Sequence, residues 1–128
     1  MSVKFVSGAF GVFLYAATAF ASDVIIHLEG VAPITRQLIQ YQCDAGATKL
    51  GLPKGPFPVE YINGGGNSLA VLPISGKPVI FANVLSASGA RYVAQQYTWW
   101  EAAGRTVSLR SESLAGKLES TCQRVNPK

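Results

Sequence analysis

The residues of this chain that could do acid–base or nucleophilic chemistry are few and far apart. Histidine occurs once, at His27, inside the apolar run Val24 to Leu28. A strand residue is the expectation there, and no second histidine can join it as base or metal ligand. The seven carboxylates are spread singly, with no pair at a spacing that suggests a general acid beside a general base. Nothing resembles a nucleophile elbow, a zinc-protease helix or a phosphate loop. Two cysteines, Cys43 and Cys122, do not form a zinc site. These absences point away from an enzyme, a metal or a cofactor, and toward a protein that works by binding.

The binding chemistry concentrates between Ser86 and Trp100, S-A-S-G-A-R-Y-V-A-Q-Q-Y-T-W-W. A small turn (Ser86, Ser88, Gly89) stands directly before Tyr92, Tyr97, Trp99 and Trp100. Large rings can anchor the base of such a turn while its tip projects. Period-two alternation puts Tyr97, Trp99 and Glu101 on one face of a strand and Thr98, Trp100 and Ala102 on the other. One tryptophan then faces a core and the other faces out, where an exposed ring is often a contact residue. The bland alternative is a plain hairpin whose aromatics are all core.

The elements that must position this stretch read as short strands separated by turns. Strands are expected at Arg36–Cys43, Pro58–Ile62, Ser68–Ile74, Val79–Leu85, Ala90–Gln96, Tyr97–Ala102, Arg105–Arg110 and Ser120–Val125. Asn63-Gly64-Gly65-Gly66-Asn67 is the strongest hairpin signal, because Asn and Gly tolerate positive φ. Ser75–Pro78 and Ala103-Gly104 are further turns, and Ser111 to Glu119 has room for one helical turn. Ala45 to Pro58, rich in Gly and Pro, is the least regular segment. Seven or eight short strands with no long helical period suggest an antiparallel barrel or sandwich. Closure near the ends of the chain would remove exposed strand edges.

The start of the chain suggests export. Lys4 is the only charge before Asp23, an apolar stretch runs from Phe5 to Phe20, and Ala19-Phe20-Ala21 fits a small-residue cleavage site. Residues 1–21 are therefore expected to be a cleaved secretory signal peptide, and 22–128 one domain with a modest core. A single spanning helix is the competing reading. No cysteine follows directly after Ala21, so no lipoprotein-type anchor is expected, and an exported soluble protein follows. In an oxidising compartment Cys43 and Cys122 most simply pair as one disulfide. The net charge of +4 comes from scattered Lys and Arg, without the stripe that nucleic-acid binding needs.

Beyond these physical signals, the order Y-Q-C (Tyr41, Gln42, Cys43), S-x-S-G-A-R-Y (Ser86 to Tyr92), Y-x-W-W (Tyr97 to Trp100) and a terminal cysteine (Cys122) resembles a known family. It is similar to the periplasmic and membrane-bound inhibitors of c-type lysozyme from Gram-negative bacteria. That resemblance implies a small antiparallel eight-stranded β-barrel in the periplasm, with c-type lysozyme as partner and peptidoglycan as what is protected. It implies that a loop carrying Ser88, Gly89, Ala90, Arg91 and Tyr92 enters the lysozyme cleft, the serine hydrogen-bonding a catalytic aspartate. A second loop after Trp100 and Glu101 would approach the catalytic glutamate. Family members carry a lysine there, in W-x-K-G, where this chain has Ala102 and Ala103. Arg105 is the nearest substitute, and Glu101 would be mildly repulsive if it faced the cleft. Lysozymes of this class are generally basic, as is this chain, so long-range steering would oppose encounter. Two other readings remain beside this one: a small-ligand or lipid-binding barrel, and an envelope adhesion module in which the outward tryptophan supports a homodimer.

Overall fold

Alternation of inward and outward residues is the organising feature of residues 35–124, and it builds a closed sheet. The computed structural model describes residues 33–102, 106–113 and 116–126, with positions 2–4, 8, 11, 25 and 27 before them. The eight strands are β1 (Thr35–Cys43), β2 (Phe57–Gly64), β3 (Asn67–Ile74), β4 (Lys77–Val84), β5 (Ala90–Ala94), β6 (Tyr97–Glu101), β7 (Val107–Ser113) and β8 (Gly116–Arg124). Each pairs antiparallel with the next, and β8 returns to β1, so the sheet is a closed barrel. The β1–β8 register runs over Tyr41–Cys43 and the β4–β5 register over Ala82–Val84, so closure covers the edges of β1 and β4 in part.

The inward positions supply the core. Tyr41, Phe57, Val59, Leu72, Phe81, Trp99 and Leu109 are fully buried, with Tyr61, Ala70 and Tyr92 beside them. Trp99 packs edge-on to Tyr41, with ring centroids 5.2 Å apart. Truncating a ring of this kind to alanine costs about 3–5 kcal/mol, because the site cannot collapse around the void. The irregular segment after β1 contributes too. A 3-10 turn at Ala47–Leu50 buries Ala47 and Leu50, and it packs against β7 and β8.

The barrel seam is covalently closed. Cys43 on β1 and Cys122 on β8 are register partners and form the disulfide, 79 residues apart in sequence. In the chain-entropy account such a crosslink contributes on the order of 4 kcal/mol. Beside it, Asp44 ties the seam again. Its carboxylate accepts the Ser120 hydroxyl at 2.7 Å and the Thr121 and Gly46 amides at 3.0 Å. The Ser120 hydroxyl, then the Thr121 amide, hold this carboxyl below its ordinary range.

Most expected strands are present with boundaries shifted by one to three residues. The Asn63–Asn67 turn closes on Gly65 and Gly66, both at positive φ, the geometry that matches strand twist. Ser111–Glu119 is a correction: no helical turn forms among its described residues. Ser111 instead faces inward and is buried, and Ser111, Glu112 and Ser113 pair with Leu118, Lys117 and Gly116. The Glu112 amide also donates to the Gln96 carbonyl at 3.0 Å. Cross-strand pairing overrides whatever local helix propensity the segment has. His27 lies outside the strands and is exposed. The remainder of the Val24–Leu28 run, apart from Ile25, and the expected cleavage site after Ala21 fall outside the described residues.

Candidate functional site

The segment between β4 and β5, residues 85–89, is held out from the barrel by its own backbone and by one tryptophan. Its central carbonyl, that of Ser88, accepts two hydrogen bonds: the Ser86 hydroxyl at 2.6 Å and the Trp100 indole N–H at 3.1 Å. Ser88 and Gly89 are exposed, and among the described residues the Ser88 hydroxyl has no hydrogen-bond partner. A serine with its carbonyl fixed and its hydroxyl free presents a donor at a defined place at little conformational cost.

Gly89 is where only glycine fits. Its φ is +67°, and a Cβ built there would overlap the carbonyl oxygen of Glu101. The loop therefore rests directly on the end of β6. Ala90 begins β5 opposite Glu101, and Tyr92 pairs with Trp99. Tyr92 is buried, its ring 5.7 Å from that of Tyr61, so it shapes the loop base from inside the barrel. Arg91 is exposed on the outer face, in register with Trp100.

The two tryptophans divide as alternation requires. Trp99 is fully buried, whereas Trp100 is half-buried on the outside. Trp100 lines an open groove with Leu85, Ser86, Ser88, Arg91 and Ser108, and Leu85 at its rim is 94% exposed. Outward placement and commitment to the Ser88 carbonyl make Trp100 the brace of the loop.

Glu101 shares the inward face of Trp99, and its carboxylate is committed there. Its Oε1 accepts the Tyr61 hydroxyl at 2.5 Å and the Tyr41 hydroxyl at 2.8 Å. The Tyr61 oxygen in turn accepts the Trp99 indole N–H at 2.8 Å. Each phenol has one proton, so both are used on Glu101, and the 3.1 Å contact between the two phenols adds no further donation. The Arg124 guanidinium approaches the same carboxylate oxygen at 3.8 Å. Burial first, then hydrogen bonding to Glu101, pushes Tyr61 well above the usual phenol range. Burial likewise raises Tyr41. Both phenols thus remain protonated donors at any ordinary pH.

After Glu101 the chain turns into β7 through a second loop, closed where the Ala102 amide donates to the Thr106 carbonyl at 3.0 Å. The two loops meet at Glu101. Arg105, the expected stand-in for a lysine, lies outside the described residues. The structure thus brings Ser88, Gly89, Ala90, Arg91, Trp100 and Glu101 to one end of the β5–β6 hairpin, with Tyr92 beneath them. Sequence reasoning missed the convergence of Tyr41 and Tyr61 on Glu101. The only signal was that each phenol falls on an inward position of its strand.

The site is thus a fixed loop projecting from a closed, densely filled barrel. The chain belongs to the family described as membrane-bound lysozyme-inhibitor of c-type lysozyme, whose model matches residues 41–113. It is 43% identical over 74 residues to a protein of Pseudomonas aeruginosa named membrane-bound lysozyme inhibitor of C-type lysozyme. It is 40% identical over 73 residues to one of Cupriavidus necator with the same name. In each case the match covers 57% of this chain and 52% of the relative, so the chain spans about half the length of those relatives. A solved structure of Pseudomonas aeruginosa MliC in complex with hen egg white lysozyme is similar at a TM-score of 0.62 and 33% identity. That match covers 82% of this chain and 98% of the other.

Proposed function

We propose that this protein inhibits c-type lysozyme by seating the Ser86–Gly89 loop in the glycan-cleaving cleft, protecting peptidoglycan without turnover. The observation that carries the reading is the fixed Ser88: carbonyl held by Ser86 and Trp100, hydroxyl free and exposed. A neutral hydroxyl donates to a carboxylate at modest desolvation cost, and Gly89 lets the loop lie close to its support. The family and the lysozyme-bound structural relative support the same partner. Ser88, Gly89, Ala90 and Arg91 would form the inserted edge, Trp100 its brace and Tyr92 its base. Arg105, in the second loop, would contribute the cation that Ala102 cannot. The test is lysis of peptidoglycan by hen egg white lysozyme with and without the purified protein. Dose-dependent inhibition is the expected result, and none from the folded, oxidised protein would end the reading.

The expected alternative of a small-ligand carrier gains no support from the interior. Trp99, Tyr41, Phe57, Phe81 and Leu72 fill the space that a carried molecule would need. For location, we favour a periplasmic form released by cleavage after Ala21. The relatives are named membrane-bound, but both cysteines of these 128 residues sit in the disulfide, so neither thiol is free for a lipid. A homodimer would not rest on Trp100, which is half-buried and committed to Ser88. Its support is Leu38 and Ile80, 69% and 60% exposed on the outer face of β1–β4, and sedimentation of a Leu38→Lys, Ile80→Lys pair tests it.

A further inference from the structure

Glu101 stands at the joint of two loops and touches both through its backbone while its side chain points the other way. Its carbonyl supports Gly89 of the first loop. It is the register partner of Ala90 on one side and of Val107 on the other, and the next residue closes the second loop onto Thr106. Its carboxylate reaches across the barrel to Tyr41 on β1 and Tyr61 on β2, with Trp99 and Arg124 completing the cluster. A strand end is ordinarily free to fray. Here it is fastened from inside by two phenols, one of them itself held by the Trp99 indole.

We propose that Glu101 is a positioning residue, a latch inside the barrel that fixes the pose of the lysozyme-facing Ser86–Gly89 loop, rather than a charge presented to the partner. The inference rests on the inhibitor reading for its partner but not for its structural half. If the latch opens, Gly89 loses a fixed support and the Ser88 loop samples other poses. A loop correctly posed about one-tenth of the time binds about tenfold more weakly, and the loss appears in association because only the competent fraction can engage.

The experiment compares Glu101→Ala, Glu101→Gln and Tyr61→Phe with the parent, by association and dissociation kinetics on hen egg white lysozyme at two salt concentrations. Glu101→Gln keeps an oxygen that accepts both phenol protons, so it is expected to stay within about twofold of the parent. Glu101→Ala and Tyr61→Phe are expected to slow association about tenfold, with dissociation and the salt slope nearly unchanged. A direct contact would raise dissociation instead, and a repelling charge would make Glu101→Ala and Glu101→Gln both bind faster, with an altered salt slope. Either result overturns the proposal, as does parent-like association by Glu101→Ala. If Glu101→Ala does not fold, Tyr61→Phe, which keeps the ring and removes the hydroxyl that donates to Glu101 and accepts from the Trp99 indole, carries the test. Amide hydrogen exchange on the free proteins separates the two readings. Faster exchange at Gly89 and Ala90 in Glu101→Ala is expected even if the parent fails to bind lysozyme. Unchanged exchange there would overturn the latch.

Discussion

The carbonyl oxygen of Glu101 occupies the space that a side chain on residue 89 would need, so the loop and the β6 strand end are in backbone contact. That contact makes the loop an extension of the barrel wall instead of an independent appendage. Gly89→Ala must therefore move the loop, since it adds a clash at a backbone φ of +67°. We expect stability to fall by about 1–3 kcal/mol. Inhibition should fall further than stability alone explains, and thermal unfolding beside a lysis assay separates the two effects.

Ser88→Ala removes only the exposed hydroxyl and leaves the carbonyl with its two donors. Folding should be unchanged. A hydrogen bond to a charged group contributes about 1.5–3 kcal/mol, so inhibition should weaken about tenfold or more. Unchanged inhibition by the folded variant would remove Ser88 from the contact.

Trp100→Phe keeps a ring on the outer face and deletes the indole N–H that holds the Ser88 carbonyl. A loss of about 1 kcal/mol in binding is expected for one hydrogen bond, with little change in the midpoint of unfolding. An equal loss in both would mean that the ring matters only as packing.

Ala102→Lys would place a cation where the family resemblance implies a lysine. If the second loop approaches the catalytic glutamate, affinity for lysozyme should rise by about 1.5–3 kcal/mol. Arg105→Ala should weaken the parent, and it should weaken the Ala102→Lys variant much less if the two cations serve the same carboxylate. A double-mutant cycle reads this directly.

Asp44 gives the seam a dependence on acid. Its folded pKa is depressed, so its contribution is fully present above the ordinary carboxylate range, near pH 4. It is lost as pH falls through the lower folded value. Asp44→Asn should lower stability at neutral pH by about 1 kcal/mol, a modest figure because the group is exposed. It should also flatten the fall in unfolding midpoint between neutral and acidic pH, which a thermal melt at each pH would detect.

The barrel was largely legible in the sequence because its signals are local. Turn residues such as Gly65 and Gly66 and the alternation around Trp99 announce themselves within a few positions. The Ser86–Trp100 stretch stood out for the same reason. Ser111–Glu119 does not read as strand because its strand character comes from pairing across the β7–β8 hairpin and onto β6, not from its own residue types. The role of Glu101 was hidden for a related reason. Alternation assigns it the inward face, but nothing local says that Tyr41 and Tyr61, 60 and 40 positions away, will meet it there. A lone carboxylate beside an exposed loop reads as a surface charge until the barrel closes around it.

Seven of the eight strand pairings join consecutive strands, and one, β1 with β8, joins the two ends of the domain. The first seven can zip as local hairpins before the last strand has docked on β1. The last cannot, because Cys122 must arrive before it can meet Cys43. Barrel closure, the disulfide and the Arg124 contact with Glu101 therefore all wait for the final strand. A chain whose β8 has not yet docked would carry a nearly complete sheet with an open seam and an unfinished latch. Docking of the final strand is thus built into the topology as the step that arms the loop.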